Sequence, residues 1–304
     1  MRADRALGRS RILMLHRVLD GTAAAFGLPK SYRMRGTAVT VAELERILDE
    51  AEPIVSLEAV ERAWGRGDDP PVGSVLTFDD GYREHLDIVA PLLTARGVTG
   101  TFYVATGLHG ECSAVALVDA WYWILDHAER GAGLVPLPNG GVFQGRLDTA
   151  DGKAMWVAGP PKAALLAAKP GDQRRMLDAL ADSSGAALPG DLAARLYLKP
   201  VDWRSLVRLG MRVGAHSISH PRLTQVCDDA LKQEVGESVR TIAEICAPVA
   251  FAYPDGAWDQ RVVASVRAAG VSSAVTCEQG VVMVDGDILK LPRYFAGATG
   301  FGSP

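Results

Sequence analysis

The stretch SVLTFDDGYREH, Ser74 to His85, sets two adjacent carboxylates and a glycine at the end of an apolar run. Asp-Asp-Gly by itself is a common turn, because Asp bonds nearby backbone and Gly accepts φ > 0. Along a strand, successive side chains point to opposite faces, so Asp79 and Asp80 cannot both serve one site from within Ser74 to Phe78. They must lie just past its end. There Gly81 lets the chain turn, and both acids can stand at the carboxyl edge of a sheet, where α/β folds build their sites.

Outward from this stretch, short apolar runs alternate with longer amphipathic ones, the pattern of a parallel sheet whose crossovers are helices. The expected strands are RILMLH (11 to 16), SVLTF (74 to 78), TGTFYV (99 to 104), MRVGAH (211 to 216), PVAFAY (248 to 253) and SSAVT (272 to 276). In TVAELERILDE, Thr40 stands three residues before Glu43, which predicts a capping box. DWRSLVRLG is read as a helix from an Asp202 cap to a stop at Gly210, and WDQRVVASVRAAG as one that stops at Gly270. Residues 107 to about 200 break the rhythm with Gly-, Pro- and Ala-rich pieces and helical fragments such as DQRRMLDALADS. This region is either an insertion packed on the wall of the fold or a lid or substrate-binding subdomain over the strand ends.

The chain has 304 residues, 48% hydrophobic and 22% charged, enough to bury a large core as one large domain or two small ones. Lys plus Arg number 32 against 36 Asp plus Glu, and no run of the sequence is basic, so neither nucleic acid nor an anionic membrane surface is an expected partner. Cys112, Cys227, Cys246 and Cys277 lie far apart and form no C-x-x-C pair, so reduced thiols are expected. The start, MRADRALGRSRILMLHRVLD, holds only a five-residue apolar run, too short for a signal-peptide core, and no stretch is long enough to span a bilayer. A soluble cytoplasmic protein without an integral membrane segment is the expectation.

A second element of chemistry follows the strand MRVGA: His216 and His220, four residues apart in HSISHPRL, can aim both imidazoles at one point. Pro221 disfavours the helical conformation for His220, so a turn is expected there. An Asp with the two histidines gives three ligands for a metal with room for water and substrate. Such an ion lowers the pKa of bound water and polarises a carbonyl, leaving the other Asp to act as general base. In FAYPDG, residues 251 to 256, backbone N–H groups past a strand end can receive a developing oxyanion; an ordinary Pro-Asp-Gly turn is the plain alternative. His16 ends the first strand, on the edge where an imidazolium can protonate a leaving amine. His85, His109 and His127 lack comparable context and are read as surface residues.

Together these residues resemble the polysaccharide deacetylase superfamily, the NodB-homology or carbohydrate esterase family 4 enzymes, over about 11 to 105 and 200 to 295. TFDDG looks like the family's first motif and HSISH like its H-[ST]-x-x-H second motif. The resemblance implies an α/β fold, an irregular TIM-like (β/α) barrel of NodB type, here with a long mainly helical insertion in a single domain spanning 1 to 304. It implies metal-dependent removal of an N-acetyl group from a sugar. By it Asp79 is the general base, and Asp80, His216 and His220 hold a divalent metal, usually Zn²⁺, with Co²⁺, Ni²⁺ or Fe²⁺ as alternatives. FAYPDG is similar to the third motif, which places the oxyanion site at Tyr253, Pro254 and Asp255. The arginine usual ahead of the Pro and the late Leu-x-His are absent; the tail reads LKLPRYF. MLHRV, however, resembles the opening strand of the permuted poly-N-acetylglucosamine deacetylase branch, which makes His16 the general acid and offers Arg293 as the partner of Asp79. WYWILDH (121 to 127) looks like the Trp-rich start of that branch's insertion. The expected partner is an N-acetylated carbohydrate or related small molecule. The alternatives are an N-deacylase of a small non-polymeric metabolite, a non-haem iron oxygenase, for which two His and one carboxylate also suit Fe(II), and an inactive sugar-binding relative.

Overall fold

A computed structural model describes residues 10–19, 30–109, 114–283, 285–297 and 300–302. Eight strands form the main sheet: β1 (Ser10–Leu15), β2 (Gly73–Phe78), β3 (Thr101–Val104), β4 (Arg212–Ala215), β5 (Ala250–Ala252), β6 (Ser273–Val275), β7 (Tyr294–Gly297) and β8 (Gly300–Gly302). Their spatial order is β6-β5-β4-β3-β2-β1-β7-β8. From β1 to β6 chain order and spatial order coincide and every ladder is parallel, as helical crossovers of one hand require. Every residue of β1 and β2 is buried, which is why both read as unbroken apolar runs and not as an alternation.

The sheet curls until its edges share one segment. Leu291 bridges Val275 of β6 in parallel, and three residues later β7 pairs in parallel with β1 at Leu13 and Met14. Residues 291–297 therefore join the two sides of an irregular barrel. The expected α/β architecture is borne out, and six of the strands lie where the sequence placed them, with each end within two residues of its expected position.

Six short strands, β7 and β8 among them, escaped the sequence reading. β7 is four residues long and begins just past Pro292-Arg293, so it carries no run long enough to register. A hairpin of Ala132–Pro136 and Val142–Arg146 turns at Asn139-Gly140, with Gly140 at φ 85°, but its outward residues are exposed and its composition is that of a loop. Arg17–Leu19 and Ala38–Thr40 form a further small parallel pair. Helix punctuation was more legible. The helix Val41–Ala51 carries the capping box, with Glu43 N–H donating to Thr40 Oγ1 at 3.2 Å and Thr40 N–H to Glu43 at 2.6 Å. Gly210 and Gly270 stop their helices with φ near 80°. Asp202 does not cap its helix: Pro200 occupies the first turn of Pro200–Arg208, and Asp202 lies inside it, accepting the Lys199 N–H at 2.9 Å.

The region from 107 to 200 holds the helices Leu117–Asp126, Ala150–Ala158, Pro160–Ala167, Pro170–Ser184 and Leu192–Leu196 around an apolar cluster that includes Trp121, Val135, Trp156 and Leu180. Its last turn is stitched to the loop after β2: Arg83 N–H donates to Leu196 at 2.9 Å, and Leu198 N–H to Gly81 at 2.8 Å. The insertion thus braces the loop that carries the two acids. Cys112 lies outside the described residues; Cys227, Cys246 and Cys277 are unpaired thiols. Among the described residues no helix is long and apolar enough to cross a membrane.

Candidate metal centre and active site

The non-glycine residues with positive φ among those described are Asp80 (76°), Ser217 (65°), His220 (57°) and Asp255 (55°), and all four lie in the loops that form one cleft. Such conformations cost energy for residues with a Cβ and persist where the surroundings fix them, so their clustering marks a built site. Asp79 still follows the ladder, its N–H donating to Leu15 at 3.0 Å. Asp80 then swings into the left-handed region and Gly81 follows at φ 70°, where a Cβ would meet Val104 Cγ1 at 2.9 Å. This change of hand lets consecutive acids face the same cleft.

Asp80 Oδ1 stands 3.4 Å from His216 Nε2 and 3.3 Å from His220 Nε2, and all three donor atoms lie within 4.8 Å of one another. These separations are long for hydrogen bonds. They equal the roughly 3.3 Å expected between two donors at about 2.0–2.1 Å from one tetrahedral ion. His216 Nδ1 lies 2.7 Å from the carbonyl of Ala252 in β5, which directs Nε2 at Asp80. The donor set therefore fits a divalent cation such as zinc. Burial pushes the Asp80 carboxyl up, yet His216 and His220 hold it well below the usual carboxylate range. Burial lowers His220, and the adjoining Asp80 outweighs it, raising the imidazole to about 9.

The turn between the histidines is held from a helix that the sequence reading passed over. Glu234, on Asp228–Ala243, accepts the N–H groups of Ile218 and Ser219 at 2.8 and 2.9 Å and the Ser219 hydroxyl at 2.6 Å. Ser217 Oγ accepts the His220 N–H at 3.0 Å. A carboxylate nearly two turns into a helix, eighteen residues downstream of His216, has no local motif to announce it.

Arg293 forks onto Asp79 with bonds of 2.8 and 2.7 Å and donates its Nε to Thr276 at 2.8 Å, fully buried. It stands behind Asp79 and does not line the cleft, where it fixes the orientation of that carboxylate. Burial drives the Asp79 carboxyl up; the guanidinium more than reverses this, and Asp79 stays below its ordinary value. His16 lines the same cleft with its Nδ1 buried and unbonded among the described residues. Burial lowers its pKa, against the pull of Asp80 and Asp79.

Tyr253 and Asp255 reach the cleft, whereas Pro254 is buried beneath it. The Tyr253 hydroxyl donates to Leu289 at 2.8 Å, and the Asp255 N–H has no acceptor among the described residues. His85 is not a surface residue: it is fully buried under the site, its Nε2 2.8 Å from the His16 carbonyl. His109 and His127 are half-buried.

The cleft encloses about 320 Å³, and the insertion supplies part of its wall through Asp119, Tyr122 and Lys162. Asp119 is buried and accepts the hydroxyls of Tyr32, Tyr82 (2.8 Å) and Tyr197, tying two outside segments to the insertion and the insertion's end to its first helix; burial raises its carboxyl to about 6. Arg17 packs over the rings of Tyr32 and Tyr82, at 5.0 and 4.5 Å, and pairs with Glu84. These residues are separated along the chain by unpatterned sequence.

The model of the polysaccharide deacetylase family matches residues 176–274. No curated protein is significantly similar in sequence. Among solved structures, the deacetylase PplD of Streptococcus pyogenes in complex with acetate is similar at a TM-score of 0.58 and 16% identity, covering 95% of this chain and 93% of that one. The BpsB deacetylase domain of Bordetella bronchiseptica is similar at 0.56 and 14%, covering 95% and 96%. IcaB of Ammonifex degensii is similar at 0.55 and 16%, covering 94% and 91%. The chain therefore shares the fold of these deacetylase structures, and about a third of it, residues 176–274, matches the polysaccharide deacetylase family model.

Proposed function

We propose that the chain is a metal-dependent hydrolase that removes an N-acetyl group from an N-acetylated sugar or glycan precursor. One observation carries this reading: three metal-donor atoms within 4.8 Å of one another, the carboxylate oxygen 3.3 and 3.4 Å from the two imidazole nitrogens, share a cleft with a second carboxylate that an arginine keeps ionised. A divalent cation held by Asp80, His216 and His220 would supply a water of lowered pKa and a polarised amide carbonyl. Asp79 takes the proton from the attacking water, and Arg293 holds it charged and aimed. The Asp255 N–H is the fixed dipole offered to the oxygen of the tetrahedral intermediate. His16 delivers a proton to the departing amine; its lowered pKa makes the imidazolium a stronger acid, at the cost of a smaller protonated fraction near neutral pH. The insertion acts as a substrate-binding subdomain, since it walls the cleft.

The Asp79–Arg293 pair favours hydrolysis over a two-His-one-carboxylate oxygenase, which has no use for a charged base beside the metal. The acetate bound in the PplD structure is the product this reaction would release. The test is acetate release from N-acetylated sugars by the zinc-loaded chain. Asp79→Asn should keep its metal and lose turnover, while Asp80→Ala, His216→Ala and His220→Ala should lose both. Full zinc occupancy in the latter three, or normal turnover in Asp79→Asn, would overturn the assignment.

A further inference from the structure

The chain is acidic overall and has no basic run, yet the fold brings Arg35, Lys162 and Arg222 into the cleft of the metal centre from three separate segments. Arg35 ends the helix Lys30–Arg35, Lys162 comes from the insertion helix Pro160–Ala167, and Arg222 follows His220 by two residues. The acids in the cleft offset them only in part. Asp79 is committed to Arg293, Asp80 to the histidines and Asp119 to three tyrosine hydroxyls. Asp255 forms an ion pair with Arg222 Nε at 3.7 Å, beyond hydrogen-bond reach, so that this buried Nε still has no hydrogen-bond acceptor among the described residues.

Lys162 is buried and donates to the Tyr122 hydroxyl, with its ammonium 4.4 Å from that ring's centroid; neither contact supplies a counter-charge. Neither Arg35 nor Lys162 forms an ion pair among the described residues. Burial, and next the neighbouring Arg35, push Lys162 down to about 8, a sign that the two cations feel each other. Clustered cations of this kind are costly without an anion to pair with. A neutral N-acetylhexosamine offers only hydroxyls and an amide.

We propose that this cationic wall binds a carboxylate or phosphate carried by the substrate, so that the chain acts on an anionic N-acylated sugar. The proposal rests on the deacetylase reading and narrows it. A cleft of about 320 Å³ is at the small end for ligand sites, which suits one or two sugar rings with a charged substituent.

Binding is measured by calorimetry on the full zinc-loaded chain carrying Asp79→Asn, with N-acetylglucosamine, N-acetylglucosamine 6-phosphate and N-acetylmuramic acid. At least one anionic sugar should bind about tenfold or more tightly than the neutral one, and the winning arm identifies phosphate or carboxylate. Phosphate also ligates zinc, so the preference is compared with Lys162→Met and Arg35→Ala in the same background, both of which leave the metal donors in place. The preference should collapse in each; Arg35 is only half-buried, so its variant serves should Lys162→Met fail to fold. Equal binding of all three sugars, or a preference that survives both substitutions, overturns the proposal. Acetate release from the same sugars by the unsubstituted chain separates the two readings. No release from any of them, with the binding preference intact, would sink the deacetylase reading and leave the anion site standing.

Discussion

A carboxylate as buried as Asp79 stays charged only beside a fixed counter-charge, and Arg293 provides it in two parallel bonds. Replacing Arg293 by Met should cost about 3–5 kcal/mol in urea unfolding, because it leaves an uncompensated buried charge. Adding Asp79→Asn should recover part of that loss; strictly additive losses in the double-mutant cycle would mean that the pair does not interact. Lys162 provides the pH dependence. Its ammonium is a cation below its pKa, lowered to about 8, so affinity for an anionic sugar should be level between about 6, where Asp119 titrates, and 8, and fall as pH passes that upper value. Of the groups around it, the Arg35 guanidinium and the Asp255 carboxylate face it as fixed charges, burial keeps Tyr122 protonated, and Asp119, raised to about 6, is ionised where Lys162 loses its proton. The fall should therefore level off on Arg35 and Arg222 and not reach zero. A calorimetric pH series in which Lys162→Met shows the same fall would assign the titration elsewhere.

At the scale of elements, each metal donor sits in a loop after a strand, and the stiffness of these loops decides how well an ion is held. The His216–His220 turn contains two left-handed residues and depends on Glu234, which reaches across from a helix to collect three donors. Glu234→Ala should release those donors and weaken zinc binding by about 10–100-fold in chelator competition, with the helix intact by circular dichroism. Unchanged affinity would show that the turn is held by its own Ser217 contact. Strands β1 to β6 and the motifs after β2 and β4 were legible because each is a local signal: an apolar run, then Gly, Pro or His at fixed offsets. Glu234, Asp119, Lys162 and the burial of His85 were not, because each acquires its meaning from a segment tens of residues away. Asp202 shows the limit even of local rules, since Pro200 two residues earlier claims the helix start.

Across the whole molecule, Asp80 follows β2 and the histidines follow β4, two strands that never touch because β3 lies between them. A cation held by all three residues would cross-link the carboxyl ends of these strands, and Arg293 makes a comparable link from the closing segment to Asp79 after β2 and Thr276 after β6. Because the site exists only when β2, β3 and β4 are assembled, binding free energy should become folding free energy. At free zinc 100-fold above its dissociation constant the native state gains about 2.7 kcal/mol. The melting temperature should then rise by several degrees and return on chelation. Asp80→Ala has lost a donor and should show no such shift, though its own stability need not be lower, since it no longer buries that carboxylate. An equal zinc-dependent rise in both proteins would mean that the ion stabilises the fold from somewhere other than this cleft.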